Sequence, residues 1–407
     1  MEFIKSTTFK DTSVLLRVDI NVPLNEQSGQ VDDDFRIRQI LPTIHMLQEG
    51  GNKIILLAHL GRPEGHWKKS FSLKAVAEHL AKLLNLPFHC ADKNWPSGGG
   101  KKVVFFDGNI LEDKNQKLVM AAKYSDLIVL ENIRFYKGED EDDPVLASKL
   151  ANIADVYVND AFSDDHRKAA SITGITEKLP SFGGPLLEKE IKSLTHILQK
   201  SKHPFVVLMG GIKISDKAKT LENLGRRADR ILLAGGMANL IFKSKGMEIG
   251  FSKVEMDAEK IAWELEKNFK DKIVLPVDVV VAHKDMHKDS IRVCTPYDIQ
   301  KEEMVLDCGP KTILEFSKVL KTAQTIVWNG PLGHFEVKPF HTATMALARL
   351  IGGRGKGRAY AVVGGGETVD AVRQCHQAEH MDHLSTGGGA MLEFLAGKSL
   401  PGIEALT

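Results

Sequence analysis

The chain has 407 residues, 26% of them charged, and a formal net charge of +1. That length suggests two or three domains' worth of core, and the near-balance of charge argues against a broad basic surface built to coat nucleic acid. The four cysteines (Cys90, Cys294, Cys308, Cys375) have no C-x-x-C spacing, so a metal knot is not expected and a reducing cytosol is the simplest setting.

In chain order, the opening "MEFIKSTTFKDTSVLLRVDI" has no long apolar run with a small-residue cleavage site, so no signal peptide is read there. No apolar run approaches the roughly 20 residues needed to span a bilayer. A cytoplasmic protein is expected. Short β-branched runs then alternate with helical patterns. The strands read in the first part are "SVLLRV", "KIILLA", "VVFF", "LIVL" and "VYV"; those in the second are "FVVLM", "RILLA", "VDVVVA", "TIVW" and "AYAVV". Between them lie amphipathic stretches such as "SLKAVAEHLAKLLN" and "DAEKIAWELEKNF", with apolar residues three and four apart. This β-then-α order predicts an α/β fold of parallel sheets with helices on both faces. So many strands exceed one comfortable open sheet, which predicts two doubly wound lobes. The gap falls near "SITGITEKLPSFGGPLLEKEIKSLTHILQK", read as an interdomain connection and a long helix. Flexible loops are expected at "WPSGGGKK" and at the acidic "GEDEDDP".

In open parallel sheets ligands bind beyond the C-terminal ends of the strands. In the first part those positions carry "RVDINVP" (Arg17, Asp19, Asn21), "HLGRP" (His59, Leu60, Gly61, Arg62), "ENIRF" (Arg134) and "NDAFSDDHR" (His166, Arg167). "FRIRQILPTI" adds Arg36 and Arg38 at a helix start. An arginine- and histidine-rich rim with Asp and Asn suits a small polyanion that carries a hydroxyl. Guanidinium forks take phosphate or carboxylate oxygens, and Asp or Asn takes the hydroxyl. Any single arginine here has a structural or solvated explanation; their recurrence after several strands favours a site.

The second part carries glycine turns instead: "MGGIKISDK" (Gly210, Gly211, Lys213, Lys217), "AGGMAN" (Gly235, Gly236), "LDCGPKT" (Gly309), "WNGPLGHFE" (Asn329, Glu336) and "GGGET" (Gly364, Gly365, Gly366, Glu367, Thr368). Glycine lets backbone N–H groups approach phosphates closely. It is also ordinary packing at βα turns, so only the set, with two lysines beside one turn, points to a nucleotide. "GGGET" lacks the Gly-Lys-Ser/Thr of a P-loop, and "LEFLAGKS" lacks its first glycine. "GGRGKGR" has no dinucleotide spacing.

These motifs, with "STGGGAMLEFLAGKSLPG" near the end, stand in the order found in phosphoglycerate kinases, which the chain resembles from residue 17 to residue 402. The resemblance implies reversible transfer of the acyl phosphate of 1,3-bisphosphoglycerate to ADP, giving 3-phosphoglycerate and ATP, with magnesium accompanying the nucleotide. It implies a phosphoglycerate lobe at 1–175, an interdomain connection and helix at 176–200, a nucleotide lobe at 201–380, and a C-terminal segment, 381–407, returning to the first lobe. A hinge-bending monomer with small-molecule partners, and neither nucleic acid nor membrane, is expected. On the first lobe Asp19 and Asn21 resemble ligands of the substrate hydroxyl. His59, Arg62, Arg134 and Arg167 resemble the grip on the non-transferred phosphate, with Leu60, Gly61 and His166 beside them. Arg36 and Lys213 resemble the cations that meet the moving phosphoryl group, and Lys217 a nucleotide-phosphate ligand. Gly211, Gly235, Gly236, Gly309, Asn329, Glu336, Gly364, Gly365, Gly366 and Thr368 are similar to residues around the nucleotide, Glu336 on the ribose, and Glu367 is placed at the metal.

The chain departs from the family pattern at three points. Glu367 replaces an Asp after the glycines, Ile212 a small residue before the first lysine, and Asp164 with Asp165 the small or neutral residues before His166. A non-catalytic protein of the same fold is the alternative these leave open. A nicotinamide-dependent oxidoreductase lacks its glycine fingerprint here.

Overall fold

The structure, a computed structural model, describes residues 1–5, 8–91, 95 and 100–407. The glycines Gly98 and Gly99 of the loop expected at "WPSGGGKK" lie outside the described residues. The chain divides into two compact units: Met1–Ile191 with Ser399–Thr407, and Lys192–Lys398. Residues 381–398 thus belong to the second unit.

The first unit holds one seven-stranded sheet. Its strands are β1 (Ser13–Val18), β2 (Lys53–Leu57), β3 (Phe88–Ala91), β4 (Lys102–Phe106), β5 (Asp126–Leu130), β6 (Val156–Asp160) and β7 (Ser181–Gly183). They lie in the order β3-β4-β5-β2-β1-β6-β7, and every pairing is parallel. β1, β2, β4 and β5 are buried along their whole length. A parallel sheet covered by helices on both faces needs such uninterrupted apolar runs. The helix Phe35–Glu49 shows how a face is covered. It buries Ile37, Ile40, Ile44 and Leu47, spaced three and four apart, against Val14, Leu16 and Ile54 in one core.

The second unit holds β8 (Phe205–Met209), β9 (Arg230–Leu233), β10 (Ile273–Val274), β11 (Val279–His283), β12 (Arg292–Cys294), β13 (Glu303–Cys308), β14 (Thr325–Asn329), β15 (Tyr360–Gly364) and β16 (His383–Leu384). Six of them form a parallel sheet in the order β10-β9-β8-β14-β15-β16. The other three form a separate sheet, β12-β11-β13, in which β11 pairs antiparallel on both sides.

All ten apolar runs read from the sequence are strands, but "VDVVVA" is not part of a parallel sheet. A parallel partner needs a crossover of about a dozen residues or more, usually a helix. The links after β11 and β12 contain only turns and one short 3-10 turn, so the chain folds straight back. The acidic "GEDEDDP" also differs from a solvated loop. Glu139 is buried and accepts hydrogen bonds from Ser171, 2.6 Å from Oγ and 3.0 Å from the backbone nitrogen.

Candidate functional site

In the first sheet the chain runs outward from β1 to β2 and later returns to β6 on the other side of β1. That reversal is a topological switch point, beyond whose strand ends ligands of such sheets bind. Asp19 and Asn21 follow β1, His59 to Arg62 follow β2, Arg134 follows β5, and His166 and Arg167 follow β6. The fold therefore gathers one rim from distant stretches of sequence.

Arg36 enters this rim from the first turn of the helix Phe35–Glu49. Its Nη1 donates to Asp19 Oδ1 at 3.2 Å and to the Asn21 carbonyl at 3.0 Å. Ser163 Oγ donates to Asp19 Oδ2 at 2.5 Å. Asn21 Oδ1 accepts from the Gly61 N–H at 2.9 Å, and Arg134 Nη1 donates to the Gly61 carbonyl at 3.0 Å. Gly61 must be glycine: its φ is +63°, and a Cβ there would stand 2.4 Å from the Phe71 ring. Leu60 is buried, and its carbonyl accepts from Asn132 at 2.7 Å. Arg62 is exposed.

Two arginines read into the rim lie elsewhere. Arg38 is exposed and bonds Asp34 at 2.8 Å, one turn back on its own helix. Arg17 is 1% exposed; it donates to Ser171 Oγ at 3.0 Å and to the Val18 carbonyl at 2.7 Å. Its Nη2 lies 3.3 Å from His59 Nδ1, so it packs beneath the rim without opening to it.

Asp164 is the unexpected centre of this region. Its Oδ2 lies 3.1 Å from Arg17 Nη2 and 3.3 Å from His59 Nδ1. Its Oδ1 lies 3.6 Å from Arg134 Nη2 and 3.7 Å from Arg167 Nη2. Burial opposes its ionisation, yet His59, Arg17 and Arg134 more than offset that and hold the carboxyl well below its ordinary range. Burial pulls the other way on Arg134, which sits below its usual value despite Asp164. Asp165 is equally buried; burial, with Asp164 nearby, pushes it up to about 8 even though Asn159 donates to it at 2.7 Å and Arg17 favours its charge.

In the second unit the reversal of strand order falls between β8 and β14. A cavity of about 710 Å³ opens there. It is lined by the turn after β8 (Gly211, Lys213, Lys217), the turn after β9 (Gly235, Gly236), Asn329 and Glu336 after β14, and Gly365, Gly366, Glu367 and Thr368 after β15. Gly365 has φ +92° and precedes the helix Gly366–Gln374, so the turn aims that helix's first N–H groups at the cavity. Asn329 Nδ2 is buried and has no hydrogen-bond partner among the described residues. A lining donor of this kind is costly unless a ligand oxygen meets it. Thr368 Oγ1 accepts from the Gly330 N–H at 2.8 Å and ties two turns together. Burial pulls Lys217 below its ordinary value, although Asp216 and Glu367 favour its charge.

Gly309 and Gly364 do not line the cavity. A Cβ on Gly309 would meet the Asp278 carboxyl at 2.3 Å, and one on Gly364 the Met391 sulfur at 2.3 Å, so both glycines answer to packing. The cavity wall instead includes Met304, Val305 and Leu306 from β13. Sequence carried no cue to them beyond an apolar run. Ile212, one of the departures, is 41% exposed and lines the cavity without filling the glycine turn.

The residues present fit a magnesium ion that arrives with phosphates. Among the described residues no group of three or more His, Cys, Asp or Glu could hold a metal alone. Magnesium commonly takes one or two carboxylates and completes its shell with waters and phosphate oxygens. Glu367 offers such a carboxylate. Burial raises its pKa, and the neighbouring Glu336 carboxyl raises it further. Two facing carboxyls repel unless a proton or a cation relieves them.

Comparison with known proteins places this geometry. The family model described as "Phosphoglycerate kinase" matches residues 4–398. The phosphoglycerate kinase of Chloroflexus aurantiacus is 41% identical over 406 residues, covering 99% of this chain and 98% of that protein. That of Xanthobacter flavus is 42% identical over 400 residues, covering 97% and 96%. Among solved structures, phosphoglycerate kinase from Pyrococcus horikoshii superposes with a TM-score of 0.84 at 30% identity, over 100% of this chain and 98% of that one. The Coxiella burnetii enzyme gives 0.78 at 35% identity, over 98% and 96%. With its parallel sheets, the cavity of its second unit and a family match over nearly its whole length, the chain belongs to the phosphoglycerate kinase family, phosphotransferases whose acceptor is a carboxyl group.

Proposed function

We propose that this chain carries out its family's reaction, the reversible transfer of the acyl phosphate of 1,3-bisphosphoglycerate to ADP in glycolysis, with the phosphoglycerate on the first unit and the nucleotide on the second. The observation that carries the reading is the second-unit cavity: glycine turns from four strands converge there on Lys217 and on an asparagine amide that has no hydrogen-bond partner among the described residues. The apolar wall of Met304 and Leu306 suits a flat base, while the turns and the helix start suit its phosphates.

On the first unit, Asp19 and Asn21 receive the hydroxyl and nearby oxygens. His59, Arg62, Arg134 and Arg167, with Gly61 and His166 beside them, grip the phosphate that stays. Arg36 and Lys213 meet the phosphoryl group in transit, and Lys217 holds nucleotide phosphate. Glu336, 56% exposed on the cavity lining, takes the ribose hydroxyls in this reading. The acceptor carboxylate and the ADP oxygen are already ionised, so no nucleophile or general base is required. Phosphoryl transfer asks the protein chiefly for position and for charge where charge develops. Magnesium supplies neutralisation of the nucleotide phosphates when bound, and Glu367 would hold it.

The reacting atoms must come within about 3–3.5 Å in line, which requires the units to bend towards each other about a hinge. The working form is a monomer in the cytoplasm, with small molecules as partners and neither nucleic acid nor membrane. No helix among the described residues is long and apolar enough to cross a membrane. A coupled assay for ATP formation from ADP and 1,3-bisphosphoglycerate tests the reading. Nucleotide binding without any ATP formation would leave a non-catalytic member of the fold.

A further inference from the structure

The phosphate-gripping cations of the first unit are not free of negative charge: Asp164 lies among them, 3% exposed. One carboxylate oxygen is committed inward, to Arg17 at 3.1 Å and His59 at 3.3 Å. The other reaches Arg134 at 3.6 Å and Arg167 at 3.7 Å, both longer. Arg134 is 6% exposed and Arg167 is 36% exposed, so Arg167 has room to turn a face of its guanidinium to solvent. The carboxylate is therefore a charge held behind the grip rather than a plug in it. Burial keeps its field poorly screened, because water is excluded from around it.

We propose that Asp164 is a specificity-determining residue: its buried negative charge offsets the cations that hold the non-transferred phosphate and so sets how strongly the rim prefers a phosphorylated over an unphosphorylated glycerate. This rests on the assignment of phosphoglycerate to the first unit. Asp164 touches no substrate; it acts through Arg134, Arg167 and His59. One unit of negative charge within about a residue's length of a phosphate dianion is worth a tenfold or larger factor in affinity at the effective dielectric of a protein surface. The glycerate end, which carries one carboxylate charge against the phosphate's two and is assigned to Asp19 and Asn21 rather than to the arginines around Asp164, feels that change less.

The test is binding calorimetry with three probes: 3-phosphoglycerate, D-glycerate and inorganic phosphate. Asp164→Asn is expected to bind 3-phosphoglycerate and inorganic phosphate about tenfold tighter than the wild type, with D-glycerate unchanged. Asp164→Glu, which keeps the charge, is expected to retain the wild-type preference. Removing Asp164 takes away the largest of the charges that compensate the buried Arg17, leaving chiefly Glu139, which threatens folding. The same comparison is therefore made in an Arg17→Gln background, where Arg17→Gln/Asp164→Asn should bind 3-phosphoglycerate about tenfold tighter than Arg17→Gln alone. Weaker or unchanged 3-phosphoglycerate binding in both comparisons, or an equal change for D-glycerate, would overturn the proposal and leave Asp164 as a scaffold for the arginines. The two readings separate in the same experiment. If the wild type fails to bind 3-phosphoglycerate while Asp164→Asn still tightens inorganic phosphate, the substrate assignment falls and the charge offset stands.

Discussion

Arg36 is tied to Asp19 by both carboxylate oxygens, 3.2 Å to Oδ1 and 3.1 Å to Oδ2. It is 30% exposed there, so one side is fixed by protein and the other remains open to a ligand. A cation held this way needs no reorganisation when charge moves past it. Arg36→Ala is expected to lower kcat by about 100-fold or more, with KM for either substrate little changed. Steady-state kinetics in both substrates check it. A large rise in KM with kcat nearly intact would assign Arg36 to ground-state binding.

Glu367 stands at the start of the helix after the glycine turn, where a carboxylate also favours the dipole by about 0.3–1 kcal/mol. A metal role and a helix role part on magnesium dependence. Glu367→Asp should keep activity. Glu367→Gln keeps the size without the charge, and should raise the magnesium concentration for half-maximal rate several-fold. Titrations of the wild type and both variants decide between them, and an unchanged requirement in Glu367→Gln would leave a helix-start residue only.

Asp165 gives a pH dependence of stability. Its carboxyl is pushed up to about 8 in the folded chain, against about 3.9 when unfolded. The folded state thus holds a proton that the unfolded state releases. Its contribution is fully present below about pH 4 and is lost as pH rises through about 8. Asp165→Asn is isosteric and retains an acceptor for Asn159. Across pH 5 to 8 the variant's melting temperature should fall less steeply than the wild type's, by about 2–4 °C per pH unit. Parallel melting curves for the two proteins would show that Asp165 is ionised throughout.

Hinge closure should need both ligands, because each unit carries charges suited to only one of them. Small-angle scattering on the apo, singly liganded and doubly liganded protein is expected to show a fall in radius of gyration for the last alone. Equal compactness in all samples would rule out the hinge.

The strands were legible in the sequence because a parallel sheet covered on both faces leaves a local mark: an unbroken apolar run such as "SVLLRV" or "FVVLM", followed by a polar or glycine turn. The helices Lys74–Leu84 and Glu259–Phe269 were legible through their apolar spacing for the same reason. What followed each strand could likewise be read, since strand ends are where such sheets present their ligand groups. Pairing could not. "VDVVVA" has the composition of a parallel strand, and only the turns after it and the contacts of β12 and β13 make it antiparallel. Nor could facing. Arg17 and Asp19 are two residues apart in one motif, yet Arg17 turns inward to Asp164, 147 positions away, while Asp19 takes Arg36. In the sequence Asp164 stands only as an acid where the family has a small or neutral residue; the tertiary structure places it beneath the rim, within ion-pair distance of Arg17, His59, Arg134 and Arg167. Met304 and Leu306 entered the cavity wall on the same terms, through β13 folding beside β11. Local sequence determines which backbone shape a segment takes. Which side chain meets which is decided by the packing of segments far apart in the chain, where burial and charge compensation act only once the sheets have formed.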